Sequence, residues 1–569
     1  MTELNPLTAN KPWFAAWPRG LPHRIHVPET PIDHCLSVAA ERYPNKPALI
    51  FMDREWTYAQ LSAQVDAVAG HLQQVAQVQA GDRVLLMSQN CPQFVAAFLA
   101  ILRCGAVVVP INPMCTATEL EHYLNDSGAE VALVAQDMLP AMQPAFDDRR
   151  LRHGVVHVYS EAMAADTDLV LPQGMEAPAA VLSDERLARW SDVIAASLPV
   201  EHRTTQPNEL CLLPYTSGTT GRAKGCMHTH RSVQAATTAS VLWRNLHAES
   251  VVLGAAPLFH LLGLQNAMLI PLASAATVVL LPRWHAGNAV RLIERYRVSV
   301  WAAPPAMLSD FFAHPEAQTR DLSSLSVLAG GGAAMPEAVS TILRTRFQID
   351  YIEGYGMTET AAFLLCNPMH RTKPQCLGIP SFGVDVRIVD PETQSEVAAG
   401  EVGELLVSGN QVMQGYWRNE AANAEAFRVI EGRRYLRTGD LARIDADGYL
   451  FMSDRLKRMI NVSGYKVWPA ELECTLHEHP AIQEACVVAA PDARQGESVR
   501  AVIALRAGAE LTAEDFIAWC RERLAAYKVP RIVEFRSALP RSSTGKIAWR
   551  EIQMELNPTT DPVSKDSHA

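Results

Sequence analysis

No CxxC pair and no regular spacing orders the 11 cysteines of this chain. An odd, scattered set excludes a disulfide framework and a zinc cluster. Cysteines used this way read as small buried apolar side chains in a reducing compartment. Surplus positive charge is missing as well: 50 Lys and Arg stand against 61 Asp and Glu, a net charge of −11. That balance excludes a nucleic-acid-binding surface, and basic clusters such as DRLKR at 454–458 are local. The opening MTELNPLTANKPWFAAWPRG lacks a basic stretch followed by an apolar one, so no secretory leader is expected. The ending DSHA is no retention or lipidation signal. Internal repeats and low-complexity tracts are absent too, and the polar close NPTTDPVSKDSHA is expected to fray.

One stretch lacks charge altogether. Residues 251–282, VVLGAAPLFHLLGLQNAMLIPLASAATVVLLP, contain no Asp, Glu, Lys or Arg. The run is long enough to span a bilayer, but Pro257, His260, Gln265, Asn266 and Pro271 interrupt it. It reads as strand, loop, buried helix and strand in a two-sided α/β core.

What is present is alternation. ALIF (48–51), RVLLMS (83–88), VVVPI (107–111) and VALVA (131–135) read as strands. Helical patterns such as TYAQLSAQVDAVAGHLQQV and CPQFVAAFLAILRCG lie between them. A second set follows: VVLGAA, TVVLL, VSVWAAP, SVLAGGG and DYIEGYG. Strands alternating with helices predict βαβ units and parallel sheets. After about residue 385 the segments become short and turn-rich, which predicts a small antiparallel β unit. The last part of the chain, from AELECTLHEHP to RIVEFR, predicts a separate small α+β domain. The expected fold class is α/β: a large N-terminal domain, 1–456, of two βαβ-type subdomains plus the small β unit, and a small mobile α+β C-terminal domain, 458–569.

Five motifs carry chemistry. YTSGTTGRAKG at 215–225 packs hydroxyls, glycines and two cations into one loop. Glycines let backbone N–H groups approach a ligand, and Thr216, Ser217, Thr219, Thr220, Arg222 and Lys224 add donors and charge, which suits a polyphosphate. It is not a Walker A loop, because Ala223, Lys224 and Gly225 stand where that pattern needs Gly, Lys and Ser or Thr. By composition alone it is equally a flexible surface turn. YIEGYGMTET at 351–360 places Tyr355, Gly356, Thr358 and Glu359 at the end of a strand, where the carboxylate suits Mg²⁺ and the ring suits a base. YLRTGDLARIDADGYL at 435–450 sets Asp440 to accept from ribose hydroxyls. DRLKRMINVSGYKVWPAELE at 454–473 and PRSSTGKI at 540–547 complete the set. No G-x-S-x-G elbow and no Cys–His signature points to a nucleophilic side chain. The histidine pairs in MHTHR and LHEHP lack an evident third metal ligand.

In order and spacing these five stretches resemble the adenylate-forming superfamily of acyl-CoA synthetases, carrier-protein adenylation domains and beetle luciferases. LRCGAVVVPINP, PLFHLLGL and LAGGGAAMPE extend the likeness, and KPWFAAWPRGLPH with DRLKRMINVSGYKVWPAE brings it nearest to bacterial medium- and long-chain fatty acyl-CoA ligases. The resemblance implies ATP, Mg²⁺ and coenzyme A. It implies that the loop from Thr216 through Ser217, Gly218, Thr219 and Thr220 to Lys224 wraps the β- and γ-phosphates. Gly331, Gly332 and Ala333 would border the adenine, with Tyr355 stacked on it beside Gly356. Thr358 would meet the α-phosphate and Glu359 would hold Mg²⁺. Asp440 and Arg455 would grip the ribose, and Lys546 would bridge the acyl carboxylate and the α-phosphate. Lys457 would be the hinge, Ser463 and Gly464 would face the pantetheine thiol, and His260 would stand where acyl pocket and thiol tunnel meet.

The expected activity is therefore an acid–thiol ligase acting in the cytoplasm on small molecules, with no nucleic-acid partner, no integral membrane segment and room for a homodimer. The motifs read the nucleotide and not the acid. A short-chain or aryl acid, or loading of a separate carrier protein, stays open beside the fatty acid, and a silent binding homologue is the reading from another class. The apolar walls of HLLGLQNAMLI and the small residues of GGGAA favour an aliphatic tail. The absence of Arg or Lys in 251–282 argues against a second carboxylate on the substrate.

Overall fold

The computed structural model describes residues 11–216, 223–331, 335, 337–462, 465–492, 496–541 and 547–556. The chain divides into two compact units. The first comprises 1–386, 407–437 and 446–449, and the second 387–406, 438–445 and 450–569. The long strand Arg433–Ile444 runs through the division.

The first unit holds two large sheets. In the nine-stranded sheet the central neighbours are Ile352–Tyr355, Val327–Gly331, Val300–Ala302, Val251–Gly254, Thr277–Leu280 and Pro47–Phe51, all parallel. In the seven-stranded sheet Val107–Ile111, Arg83–Met87, Val131–Ala135, His153–His157 and Leu187–Arg189 lie parallel side by side. Val107–Ile111 and Val131–Ala135 are buried at every position, which is why their sequences are unbroken apolar runs and not alternating ones.

Helices Tyr58–Gln74 and Pro92–Arg103 pack on each other. Every residue of 92–102 is buried, as expected of a helix apolar on all sides. Thr57 starts the first of these with a capping box: its hydroxyl accepts from the Gln60 amide at 3.2 Å and the Gln60 side chain accepts from the Thr57 amide at 2.9 Å. One continuous apolar cluster, from Ile32 to Tyr351, takes side chains from both sheets.

The uncharged stretch folds as strand Val251–Gly254, helix and strand Thr277–Leu280. Its helix is irregular, with a π turn at Gln265–Leu269 between α-helical Leu261–Leu264 and Ile270–Ala273. No helix among the described residues is long and apolar enough to cross a membrane.

In the second unit, Gly496–Leu505 pairs antiparallel with Ile482–Asp492 and parallel with Ile532–Arg536. Side chains alternate between two layers. Ala485 and Val487 join Leu472 and Phe516 on one face, and Cys486 and Val488 join Ile552 on the other. Helices Pro469–Leu476 and Ala513–Arg521 therefore cover one face and Trp549–Leu556 the other.

Three buried histidines of the first unit make stability sensitive to acid. Burial pushes the imidazole of His157 down to about 3, and those of His228 and His230 down to about 4. His230 Nδ1 accepts from the Ile32 amide at 3.1 Å, a bond that protonation of that nitrogen would break. The unfolded chain takes up these protons near pH 6.5 and the folded chain only near 3 to 4, so stability falls as pH falls through that window. The loss is about 2 kcal/mol per histidine at pH 5. Burial also pushes the Glu353 carboxyl up to about 7. That group has the opposite sign, contributing stability below its unfolded value and losing it as pH rises towards 7, while His153 and His260, also pushed down to about 4 by burial, add to the acid-sensitive side. The thermal midpoint should be clearly lower at pH 5 than at pH 7.5. An unchanged midpoint would show that these imidazoles protonate inside the fold.

Candidate active site

The opening motif is a two-stranded antiparallel hairpin, with Tyr215–Thr216 paired to Lys224–Gly225. Ser217, Gly218, Thr219, Thr220 and Arg222 lie outside the described residues. The hairpin base is anchored from several sides. The Tyr215 hydroxyl donates to Asp126 Oδ2 at 2.6 Å, and His122 Nε2 donates to the Ala223 carbonyl at 2.8 Å. The outgoing strand is stitched to a distant turn: the Trp417 amide donates to Gly225 O at 2.8 Å and the Met227 amide to Gly415 O at 2.9 Å.

That turn brings Tyr416 between two of the expected site residues. Lys224 Nζ stands 5.0 Å from the centre of its ring, and its hydroxyl donates to Glu359 Oε1 at 2.9 Å. Burial and the Glu359 carboxylate together raise the Tyr416 phenol well above its ordinary range, so it stays a donor. Lys224 and Glu359, 135 positions apart, are thus linked through one ring. Sequence reasoning missed Tyr416. Its only local signal is an aromatic residue beside a glycine in QGYW.

The second motif ends the strand Ile352–Tyr355 and turns through Thr358–Thr360. Two constraints shape it. A Cβ on Gly356 would stand 1.7 Å from the Ala362 carbonyl oxygen, and one on Gly331 would stand 2.1 Å from that of Gly354. Both positions are restricted to glycine by backbone on backbone. Ala361 and Ala362 have φ of 50° and 75°, strained for residues with a Cβ.

His228 braces this turn. Its Nε2 donates to the Thr358 carbonyl at 2.7 Å, which fixes the tautomer, and Nδ1 meets the Ser232 hydroxyl at 3.1 Å. The first histidine of MHTHR therefore positions Thr358. Among the described residues no group of three or more His, Cys, Asp or Glu could hold a metal ion. Tyr355 is half-buried, with its hydroxyl 3.6 Å from Met357 Sδ. His260 precedes the helix Leu261–Leu264, and burial pushes its imidazole down to about 4, so it is neutral at physiological pH. Gly332 and Ala333 lie outside the described residues.

In the second unit Asp440 and Arg455 are cross-strand partners, with Arg455 Nε 3.2 Å from Asp440 Oδ1. The Asp440 side chain is 6% exposed and that of Arg455 46%, so a buried acceptor is held beneath an accessible cation. Lys457 sits in the short turn Leu456–Arg458. The turn is tied down on both sides: Asp454 Oδ2 accepts from the Ala470 amide at 2.7 Å and Glu473 Oε2 accepts from Arg458 at 3.1 Å. Ser463, Gly464 and Lys546 lie outside the described residues.

The model of the AMP-binding enzyme family matches residues 36–417, and that of the AMP-binding enzyme C-terminal domain matches 471–546. A long-chain-fatty-acid–CoA ligase of Bacillus subtilis is 31% identical over 565 residues, covering 96% of this chain and 99% of the relative. A feruloyl-CoA synthase of an Amycolatopsis species is 36% identical over 500 residues, covering 87% and 93%. Among solved structures, the anthranilate CoA ligase AuaEII with anthranoyl-AMP superposes with a TM-score of 0.79 at 28% identity, covering 94% of this chain and 98% of the other.

Proposed function

This chain belongs to the AMP-binding enzyme family, and from that premise we propose that its acid substrate is aliphatic and of medium to long chain. The chain is an ATP-dependent acid–thiol ligase that works through an acyl adenylate. A carboxylate oxygen bonds to the α-phosphorus of ATP and pyrophosphate leaves with the broken P–O bond. The thiol of coenzyme A then attacks the acyl carbonyl of this mixed anhydride and AMP departs. No nucleophilic side chain is needed in either step.

In this reading the hairpin at 215–225 and Lys224 hold the phosphates, and Thr358 meets the α-phosphate. Asp440 and Arg455 take the ribose. A single buried carboxylate, Glu359, linked through Tyr416 to the phosphate-binding hairpin, fits Mg²⁺, which binds one or two carboxylates together with phosphate oxygens. When bound, the ion neutralises the departing pyrophosphate. Lys546 meets the acyl carboxylate, whose approach to the α-phosphate sets anion against anion.

The observation that carries the aliphatic reading is the buried, charge-free segment that begins at His260 and passes through the π turn. Each methylene taken up there should gain roughly 0.8 kcal/mol until the pocket ends. The feruloyl-CoA synthase relative, at 36% identity, favours an aryl acid as the second reading. kcat/KM across saturated acids from C2 to C18, with benzoate and cinnamate alongside, separates the two. A rise to an optimum at C8 or beyond supports the aliphatic pocket. A maximum at C2–C4, or preference for the aromatic acids, overturns it.

A further inference from the structure

Arg244 follows the helix His230–Trp243 and is only 9% exposed. The apolar segment 251–282 has no cation of its own, but the fold lays this one against it. An Arg244 Nη1 hydrogen donates to Asn266 Oδ1, and Asn266 lies in the π turn. The carboxamide is fixed in that orientation because its Nδ2 donates to the Leu262 carbonyl at 2.7 Å. On another side the guanidinium carbon lies 5.7 Å from the centre of the Phe363 ring, which follows the Thr358–Thr360 turn.

The surroundings of this cation are neutral. The Cys366 thiol and the Tyr351 phenol are its other polar neighbours, and burial raises both above their ordinary ranges. The Tyr351 hydroxyl is committed to the Ala303 carbonyl at 2.7 Å. Glu353, on the strand Ile352–Tyr355, accepts from the Gln375 amide at 2.9 Å. Among the described residues no carboxylate pairs with Arg244, and its Nε is buried without an acceptor. Burial without an anion also pulls the guanidinium below its ordinary range.

A buried charge without a counter-charge is among the most destabilising features a fold can carry. The planar guanidinium presents five donors in a fixed fork that matches a carboxylate. We propose that Arg244 is the specificity residue at the far end of the acyl pocket and binds a second carboxylate on the substrate, making the preferred acid an α,ω-dicarboxylate. The inference rests on the reading that the segment from His260 through the π turn lines that pocket. The activated carboxyl meets the α-phosphate, the methylenes follow the apolar wall, and the remote carboxylate supplies the charge that Arg244 lacks. A cation drawn from the helix before the apolar segment is invisible to any reading of that segment alone.

The test compares chain-matched pairs, octanoate with suberate and decanoate with sebacate, in the wild type and in Arg244→Met and Arg244→Lys. In the wild type, kcat/KM should favour the diacid of at least one pair by tenfold or more. Arg244→Met should lower the diacid-to-monoacid ratio by about 10² while sparing the monoacid, the size expected for stranding a buried charge. Arg244→Lys should restore part of it. Preference for the monoacid in both wild-type pairs, or a ratio that Arg244→Met leaves unchanged, overturns the proposal. If Arg244→Met fails to fold, the wild-type ratios and Arg244→Lys still decide it. Failure of the pocket reading is distinct: it appears as an optimum at C2–C4 or on aromatic acids, whatever happens at Arg244.

Discussion

Replacing Lys546 with alanine is expected to slow acyl-adenylate formation by at least ~10² to 10³, the range for losing one preorganised donor to a developing oxyanion. The charge matters when two anions approach, the acid's carboxylate and the α-phosphate. Once the mixed anhydride exists, that repulsion is gone. The Lys546→Ala enzyme should therefore convert supplied acyl-AMP and coenzyme A to thioester at close to the normal rate. ATP–pyrophosphate exchange reads the first step, and thioester formation from synthetic acyl-AMP reads the second. Equal loss in both would mean that Lys546 supports the domain as a whole and not the attack on phosphorus. The assignment comes from the place of Lys546 in PRSSTGKI, within the stretch matched by the C-terminal domain model.

How much of this was legible in the sequence depends on the range of the interaction. Val107–Ile111 and Val131–Ala135 appear at their expected bounds because a strand buried on both faces must be apolar at every position. The helices 58–74 and 92–103 follow from a capping pair and a proline at the helix start, both local signals. Glycines 331 and 356 stand where backbone meets backbone, and each falls within a motif that could be quoted. The strand His153–His157 escaped, since HGVVH is too short and too polar at its ends to stand out.

The site residues that escaped share a different property. Tyr416 reaches Glu359, 57 positions earlier, and His228 reaches Thr358, 130 positions later. Arg244 reaches Asn266 from just beyond the end of a different helix. None of these pairings leaves a period in the sequence. The first histidine of MHTHR looks locally like half of a metal site, yet its partner is a carbonyl just beyond a strand of the other large sheet. Motifs expose residues that touch a ligand. The residues that hold those in place are chosen by tertiary packing, and only coordinates show them.

Glu359→Gln is expected to have a comparable effect on adenylation, and by a separable route. Glu359 is 9% exposed and is fixed by its own backbone, whose carbonyl accepts from the Met413 amide at 2.9 Å. Its carboxylate accepts the Tyr416 hydroxyl. Glutamine keeps the shape and keeps an acceptor for that hydroxyl, so the turn from Thr358 to Thr360 should survive. What it removes is one negative charge beside the hairpin that carries Lys224. If that charge holds Mg²⁺ on the triphosphate, adenylation should fall by roughly 10² to 10³, and the Mg²⁺ concentration for half-maximal rate should rise by about 10- to 100-fold. Thioester formation from supplied acyl-AMP has no pyrophosphate to neutralise and should be nearly unchanged. The thermal midpoint should also hold, because the Tyr416 hydrogen bond remains. A variant that loses both half-reactions together with stability would make Glu359 a structural anchor for Tyr416. Unaltered Mg²⁺ dependence with slowed adenylation would leave the carboxylate near the phosphates but take the ion away from it.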